Sequence, residues 1–300
     1  MTATMYAVRY GLLYHSTGNG TSLFQSEFSF ILLVSSIVLL AAGGNVINDF
    51  FDQQADKVNR PDSNFVGAQM SQQFTLNMYK ALTLTGLLLG LIASWPIEPM
   101  FFLLHMFIAA SLWMYSYRFM KSALIGNIIV GILVALLPFM VLHFEIASLE
   151  QTLLTRGYSD KSIMESGTRL WIVSPVVYAF SAFAFLVNVA RELVKDIQDI
   201  KGDRAAGYNT LPIGRGIQQA KVLAAFLILM IIVLFSITFY SFCEPLEQRL
   251  LIWTIGLVAV NTPLIGALIY LLKEKTEAHM KSISRLLKVT MFFGILCLLV

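Results

Sequence analysis

From Phe28 to Asp56 the chain reads FSFILLVSSIVLLAAGGNVINDFFDQQAD. The first part runs without a charge for the roughly 20 residues that a helix needs to cross a hydrocarbon core. Three aspartates then arrive together, Asp49, Asp52 and Asp56. A soluble helix of this kind would need a polar coat from the rest of the molecule. The composition does not supply one: of 300 residues, 57% are hydrophobic and 13% charged, where a soluble domain carries about 25% charged residues. Disorder is excluded by the apolar content. A disulfide scaffold is excluded because Cys243 and Cys297 are the only cysteines. The first residues lack a basic stretch, an apolar core and a small-residue cleavage site in succession, so no cleavable signal is expected.

Outward from this stretch the hydropathy pattern predicts an all-α, polytopic membrane bundle of about nine helices. The spans read Thr4–Tyr14 (short), Phe28–Asn48, Ala81–Trp95, Phe101–Tyr117, Leu124–His143, Leu170–Ala190, Val222–Phe242, Leu250–Leu272 and Leu286–Val300. Between Phe144 and Arg169 the pattern predicts a long polar loop. The loops after the even-numbered spans hold most of the cations, among them Lys57, Arg60, Lys121, Arg191, Lys195, Lys201, Arg204, Lys281 and Arg285. The opposite side holds Arg156, Lys161, Arg169 and Arg249. The positive-inside bias makes the rich side cytoplasmic. Arg9 lies inside the first span and does not enter this comparison. Trp95, Trp171 and Trp253 fall near predicted helix ends, as interfacial aromatics do.

Acids near a membrane are costly and by default suggest function. A second triplet, Asp196, Asp199 and Asp203, repeats the spacing of the first, in NVARELVKDIQDIKGDRAAGYNTLPI from Asn188. Offsets of three and four place the carboxylates of each triplet on one helical face, and Glu192 extends the second face by a turn. Both triplets close an even-numbered span, about half a chain length apart, which hints at an internal repeat of two halves, roughly 1–143 and 170–300, within a single domain covering 1–300. Like charges so close repel. Magnesium, a hard ion held by one or two carboxylates plus substrate phosphates, suits them. Two facing clusters would receive a diphosphate, with Lys57, Arg60, Lys195, Lys201 and Arg204 as the nearby cations. Asn45 and Asn188 sit one turn before the acids. The four histidines are scattered without ligand spacing and read as interfacial or core residues.

At these residues the chain resembles the UbiA superfamily of intramembrane prenyltransferases. Its first motif, Asn-Asp-x-x-Asp-x-x-x-Asp, matches Asn48, Asp49, Asp52 and Asp56, and Arg60-Pro61 follows. Its second, an aspartate-rich run ending Gly-Asp-x-x-x-Gly, matches Asp196, Asp199, Gly202, Asp203 and Gly207. LWMYSYRFMKSALIGN, Leu112 to Asn127, looks like the third signature. The resemblance implies helices around a central cavity, with Mg²⁺ and a prenyl diphosphate at its cytoplasmic end and the prenyl tail in an apolar chamber. It implies metal-holding and catalytic roles for the six aspartates. Substrate contacts are expected from Asn45, Asn48, Lys57, Arg60, Tyr115, Tyr117, Lys121, Asn127, Asn188, Glu192, Lys195 and Arg204.

The second motif is most like the digeranylgeranylglyceryl phosphate synthase branch, which implies a geranylgeranyl group passed to a lipid acceptor such as geranylgeranylglyceryl phosphate. An aromatic acceptor is the alternative. The bilayer is the other expected partner, and nucleic acid is not one. Three departures from the family pattern stand out. The first span starts at Met1, where the family's usually begins earlier and carries polar residues that help bind substrate. The run after Arg60-Pro61 is DSNFVGAQMS and lacks a basic residue, and the position five after Tyr115 is Met120, with Lys121 beside it. A rival of another class is a cation-coupled transporter, whose acids would sit near mid-membrane rather than at the helix ends.

Overall fold

A computed structural model describes residues 1–14, 25–59, 66–67, 69–156, 161–242, 250–273 and 277–299. Among them the regular structure is helical. The chain opens with α1 (Thr2–Tyr6), which continues as a π-helical stretch, Ala7–Leu13. It goes on through α2 (Glu27–Phe51), α3 (Gln53–Asn59), α4 (Gln72–Ser94), α5 (Phe102–Tyr117), α6 (Ile125–Arg156) and α7 (Lys161–Gln198). It ends with α8 (Ile200–Ala205), α9 (Leu211–Gly214), α10 (Ile217–Phe242), α11 (Leu250–Lys273) and α12 (Glu277–Leu296).

Seven helices among the described residues are long and apolar enough to cross a membrane: α2, α4, α5 with the turn before it, α6, α7, α10 and α11. The expected nine spans are therefore matched by seven on length and composition. The first is too short, and α12 carries Lys281, Arg285 and Lys288 in its length. Pro138, Pro175 and Pro263 lie inside α6, α7 and α11.

The predicted loop from Phe144 to Arg169 is a correction. Apart from 157–160, which lie outside the described residues, it is helical: α6 and α7 run on past the apolar stretch as a pair. Ile146, Leu149 and Leu153 stay buried along this extension, and Leu149 packs where Gly167 gives it room. A polar average had hidden an apolar stripe with helical period.

Helices start and pack for local reasons. Ser26 caps α2 by accepting a hydrogen bond from the Ser29 N–H, and Ser71 caps α4 by accepting from that of Phe74. In lipid there is no hydrophobic gain in pressing helices together, so close approach must be won by small residues. Gly90 shows it: a Cβ there would meet the His105 ring at 2.5 Å and Ser36 Oγ at 2.9 Å. Ser36 in turn donates to the Gly86 carbonyl at 2.7 Å, tying α2 to α4.

One buried cluster joins α1, α2 and α6 through Met5, Phe30, Leu33, Ile37, Leu137 and Phe144. A second joins α7, α10, α11 and α12 through Val187, Leu193, Ile228, Leu264 and Leu287. Large apolar side chains also face outward, such as Leu84 and Leu88 on α4 and Phe226, Val233 and Ile237 on α10. Such a surface belongs against hydrocarbon, and the chain is a multi-pass membrane protein.

At the end of the bundle away from the aspartates, Arg9 is fully buried. It donates to the Gln25 carbonyl at 2.6 Å, pairs with Glu27 at 3.2 Å and Glu145 at 3.9 Å, and lies 4.3 Å from the Phe30 ring centre. Tyr10 adds a hydrogen bond to Glu27. The charge is thus paired where it would otherwise be prohibitive, and it ties the first helix to α2 and α6.

Candidate active site

The two aspartate triplets are built alike. Asp52 ends α2 with φ −93° and ψ 7°, and Asp199 precedes α8 with φ −91° and ψ 5°. In each, the middle aspartate turns the chain out of a long helix into a short one, while its N–H still bonds four residues back, to Asn48 and Lys195 respectively, at 2.9 Å. The expectation of one continuous helical face is corrected here, because both helices break at their middle carboxylate. The two short helices, α3 and α8, then pack on each other. Asn59 latches them. Its amide donates to the Asp199 carbonyl at 3.0 Å and accepts from the Gly202 N–H at 2.8 Å. Only glycine fits at 202, since a Cβ there would lie 2.5 Å from the Ala55 backbone carbonyl as well as 2.3 Å from the Asn59 amide nitrogen.

Between the motifs lies a small cup of about 40 Å³, lined by Asn48, Asp52, Tyr115, Met120, Glu192, Lys195, Asp196, Asp199, Asp203 and Tyr208. Asp196 accepts from the Asn127 amide at 2.9 Å. Asp52 accepts from the Tyr208 hydroxyl at 3.0 Å. The Thr210 hydroxyl stands 3.5 Å from Asp203. Burial, then the charges of Asp199 and Asp52, pushes Asp203 up to about 7. Burial and the charge of Asp56 raise Asp52 as well, against the Tyr208 hydrogen bond. Burial and the Asp52 charge raise the Tyr208 phenol, so it stays a donor.

A second cavity of about 380 Å³ adjoins the cup. Apolar side chains line most of it, including Ile37, Ile108, Leu112, Leu133 and Leu137, and Asn45, Asn188 and Arg191 also reach it. The two cavities share Asn48, Tyr115, Glu192 and Lys195. An acid cup thus adjoins an apolar chamber, with these four residues as a polar collar between them.

Of the residues expected from sequence, Asp52, Asp196, Asp199, Asp203, Asn48, Tyr115, Glu192 and Lys195 converge on the cup, and Asn127 supports it. Asn45 and Asn188 line the chamber. Asp49, Lys57 and Arg204 are exposed and line neither cavity, and Asp56 acts on the cup through its charge on Asp52. Tyr117 faces outward, stacked on Trp113. Lys121 sits over the Tyr208 ring at 5.5 Å, and it is Met120 that reaches the cup, because Phe119–Lys121 is a tight 3₁₀ turn. Arg60 lies outside the described residues, as does His15. His105 is buried with its ring nitrogen 3.1 Å from the Phe101 carbonyl, and His143 contacts Tyr178.

Sequence reading passed over Tyr208, Asn59, Thr210 and Arg191 as site residues. Tyr208 was within the quoted motif, but its reach across to the other half could not be read from spacing.

The cup fits divalent ions shared with a phosphate ligand. Among the described residues no three carboxylates and histidines stand close enough to hold an ion by themselves. Magnesium bound by one or two carboxylates plus phosphate oxygens and water does not need three. Among the described residues the buried Asn48 amide oxygen has no hydrogen-bond partner, and Asn48 lines the cup, where a metal ion or one of its waters would supply one.

Break-and-turn aspartate motifs at matching helix ends, above an apolar chamber in a membrane bundle, define an intramembrane enzyme for diphosphate-bearing lipids. The chain belongs to the UbiA prenyltransferase family, whose model matches residues 5–296. It is 30% identical over 278 residues to the digeranylgeranylglyceryl phosphate synthase of Thermococcus kodakarensis, covering 91% of this chain and 86% of that one. Its fold is similar to the apo structure of a UbiA homolog from Aeropyrum pernix, with a TM-score of 0.62 at 16% identity over 98% of this chain and 97% of that one. It is also similar to a UbiA homolog from Archaeoglobus fulgidus bound to DMAPP and Mg²⁺, with a TM-score of 0.55 at 16% identity over 99% and 95%.

Proposed function

We propose that this prenyltransferase moves a geranylgeranyl group from its diphosphate to the free hydroxyl of geranylgeranylglyceryl phosphate, forming an ether and releasing diphosphate. The observation that carries the reading is that the acid cup adjoins the apolar chamber, the two sharing Asn48, Tyr115, Glu192 and Lys195. A diphosphate head and a long apolar tail need those two environments side by side. The synthase relatives support the lipid acceptor.

Asp52, Asp196, Asp199 and Asp203 would hold magnesium against the diphosphate. Bound there, the metal neutralises charge on the departing diphosphate, which is worth several kcal/mol of barrier. Lys195 donates to non-bridging oxygens from the collar. Asn127 fixes one oxygen of Asp196, and Tyr208 one of Asp52, so the carboxylates present their remaining lone pairs to the cup. The chamber walls keep water from the allylic cation, and the face of Tyr115 at the junction stabilises it. Each half of the chain supplies one motif, and residues 1–300 act as one unit with the cup on the cytoplasmic side, in line with the cation bias.

The test is a product assay with purified protein, geranylgeranyl diphosphate and either geranylgeranylglyceryl phosphate or aromatic acids. Ether product and diphosphate should form with the lipid acceptor, only when Mg²⁺ is present. Turnover of aromatic acids alone would replace the acceptor, and no binding of the prenyl diphosphate would remove the reading.

A further inference from the structure

We infer that Arg191, with Asn45 and Asn188, forms a second anion subsite in the chamber that receives the phosphate monoester of the acceptor; the inference rests on the function proposed above. Asn188, Arg191 and Lys195 succeed one another along α7 at offsets of three and four, which places them on one face. Lys195, Asp196 and Asp199, further along the chain, line the cup, which Arg191 does not reach. Arg191 instead lines the large cavity, as does Asn45 on α2. The cavity therefore has a cation beyond the collar, among walls that are otherwise largely apolar.

Glu192 accounts for only part of that cation. Arg191 Nη1 donates to Glu192 Oε1 at 2.7 Å, and its side chain keeps 26% of its surface accessible. A guanidinium has five N–H donors in a planar fork, suited to two phosphate oxygens at once. The Asn188 amide nitrogen is engaged with the Ala184 carbonyl at 2.8 Å, which leaves its amide oxygen as the group that would accept from a monoester hydroxyl or a glycerol hydroxyl in the cavity Asn188 lines. A diphosphate in the cup and a monoester at Arg191 are then held apart by the collar, with the two apolar tails in one chamber. Arg191 would in this way set the preference for a phosphorylated acceptor.

The experiment compares the unaltered enzyme with Arg191→Gln and Arg191→Lys, using geranylgeranyl diphosphate with geranylgeranylglyceryl phosphate or with geranylgeranylglycerol, which lacks the phosphate. Arg191→Gln should raise KM for the phosphorylated acceptor at least about tenfold, as expected for losing a charge-assisted pair. KM for the prenyl diphosphate should stay within about twofold, and the preference for the phosphorylated acceptor should collapse. Arg191→Lys keeps a charge for Glu192 but loses the fork, so it should fold and show the same split at a smaller size; it decides the matter if Arg191→Gln is not recovered folded. An unchanged acceptor KM, or a rise in the diphosphate KM instead, overturns the subsite. If the unaltered enzyme makes no ether from the phosphorylated acceptor, the proposed function itself fails, which is a separate result from the variants.

Discussion

Asp52 and Asp196 show how much a single position means in this site. Each is the partner of a donor from elsewhere in the chain, Tyr208 for Asp52 and Asn127 for Asp196. Removing either carboxylate takes away a metal-facing group and leaves its donor unpaired. Asp52→Ala and Asp196→Ala should each lower prenyl transfer by at least about 10²-fold, the scale of losing a preorganised electrostatic group, while the protein stays monodisperse in detergent. Near-normal rates in either would remove the two-motif reading. Tyr208→Phe is milder. It frees Asp52 of one hydrogen bond to a charged group and should slow transfer about tenfold, measurable as a drop in kcat at saturating Mg²⁺. The carboxylates were visible in the sequence because membrane proteins carry so few acids. Tyr208 was not, since a tyrosine near a helix end is common and its partner lies 156 positions away.

At the scale of the element, α3 and α8 bring like charges together in a half-buried place. Asp203 and Asp52 are both raised, so the folded state holds protons that the unfolded chain has already released. Where the folded state binds more protons, stability falls as pH rises. For Asp203 the contribution is complete below its ordinary carboxylate range and is lost as pH rises through about 7. The metal-free protein should therefore melt at a lower temperature at pH 8 than at pH 5. Added Mg²⁺ should recover more of the difference at pH 8, where the carboxylates are charged. A melting series in detergent with chelator and with Mg²⁺ checks both, and equal melting temperatures across the range would contradict the crowding. The short helices themselves were not legible. Period and spacing suggested a single face, and the break at each middle aspartate came from packing, with Asn59 and Gly202 meeting across the two halves.

The whole molecule is polarised. The cup, with Lys57, Lys201 and Arg204 around it, stands at one end, and the extended α6–α7 pair stands at the other. Glu150 is 23 residues along α6 from Asn127, about 35 Å at the helical rise. If the cup faces the cytoplasm, then in a background with Cys243→Ser and Cys297→Ser, Arg204→Cys should react with an impermeant thiol reagent only after the membrane is opened. Glu150→Cys should react in intact cells. The reverse pattern would invert the orientation. Hydropathy predicted the long helices well, since the bilayer sets their length, and failed at the margins. The polar stretch after Phe144 is helix because its buried face repeats every turn.

What the sequence determined by itself was the solvent and the chemistry: apolar runs of membrane length, and two matched aspartate motifs that match one family of enzymes. Those are local properties, carried by composition and spacing along one helix. The tertiary structure decided which side chains meet. Asp49 and Tyr117 belong to the motifs yet line neither cavity, while Tyr208 and Arg191 line them and Asn59 latches the motifs from positions that spacing did not single out. That outcome depends on where each helix turns and which face it offers its neighbour, and both are settled by packing between segments half a chain apart.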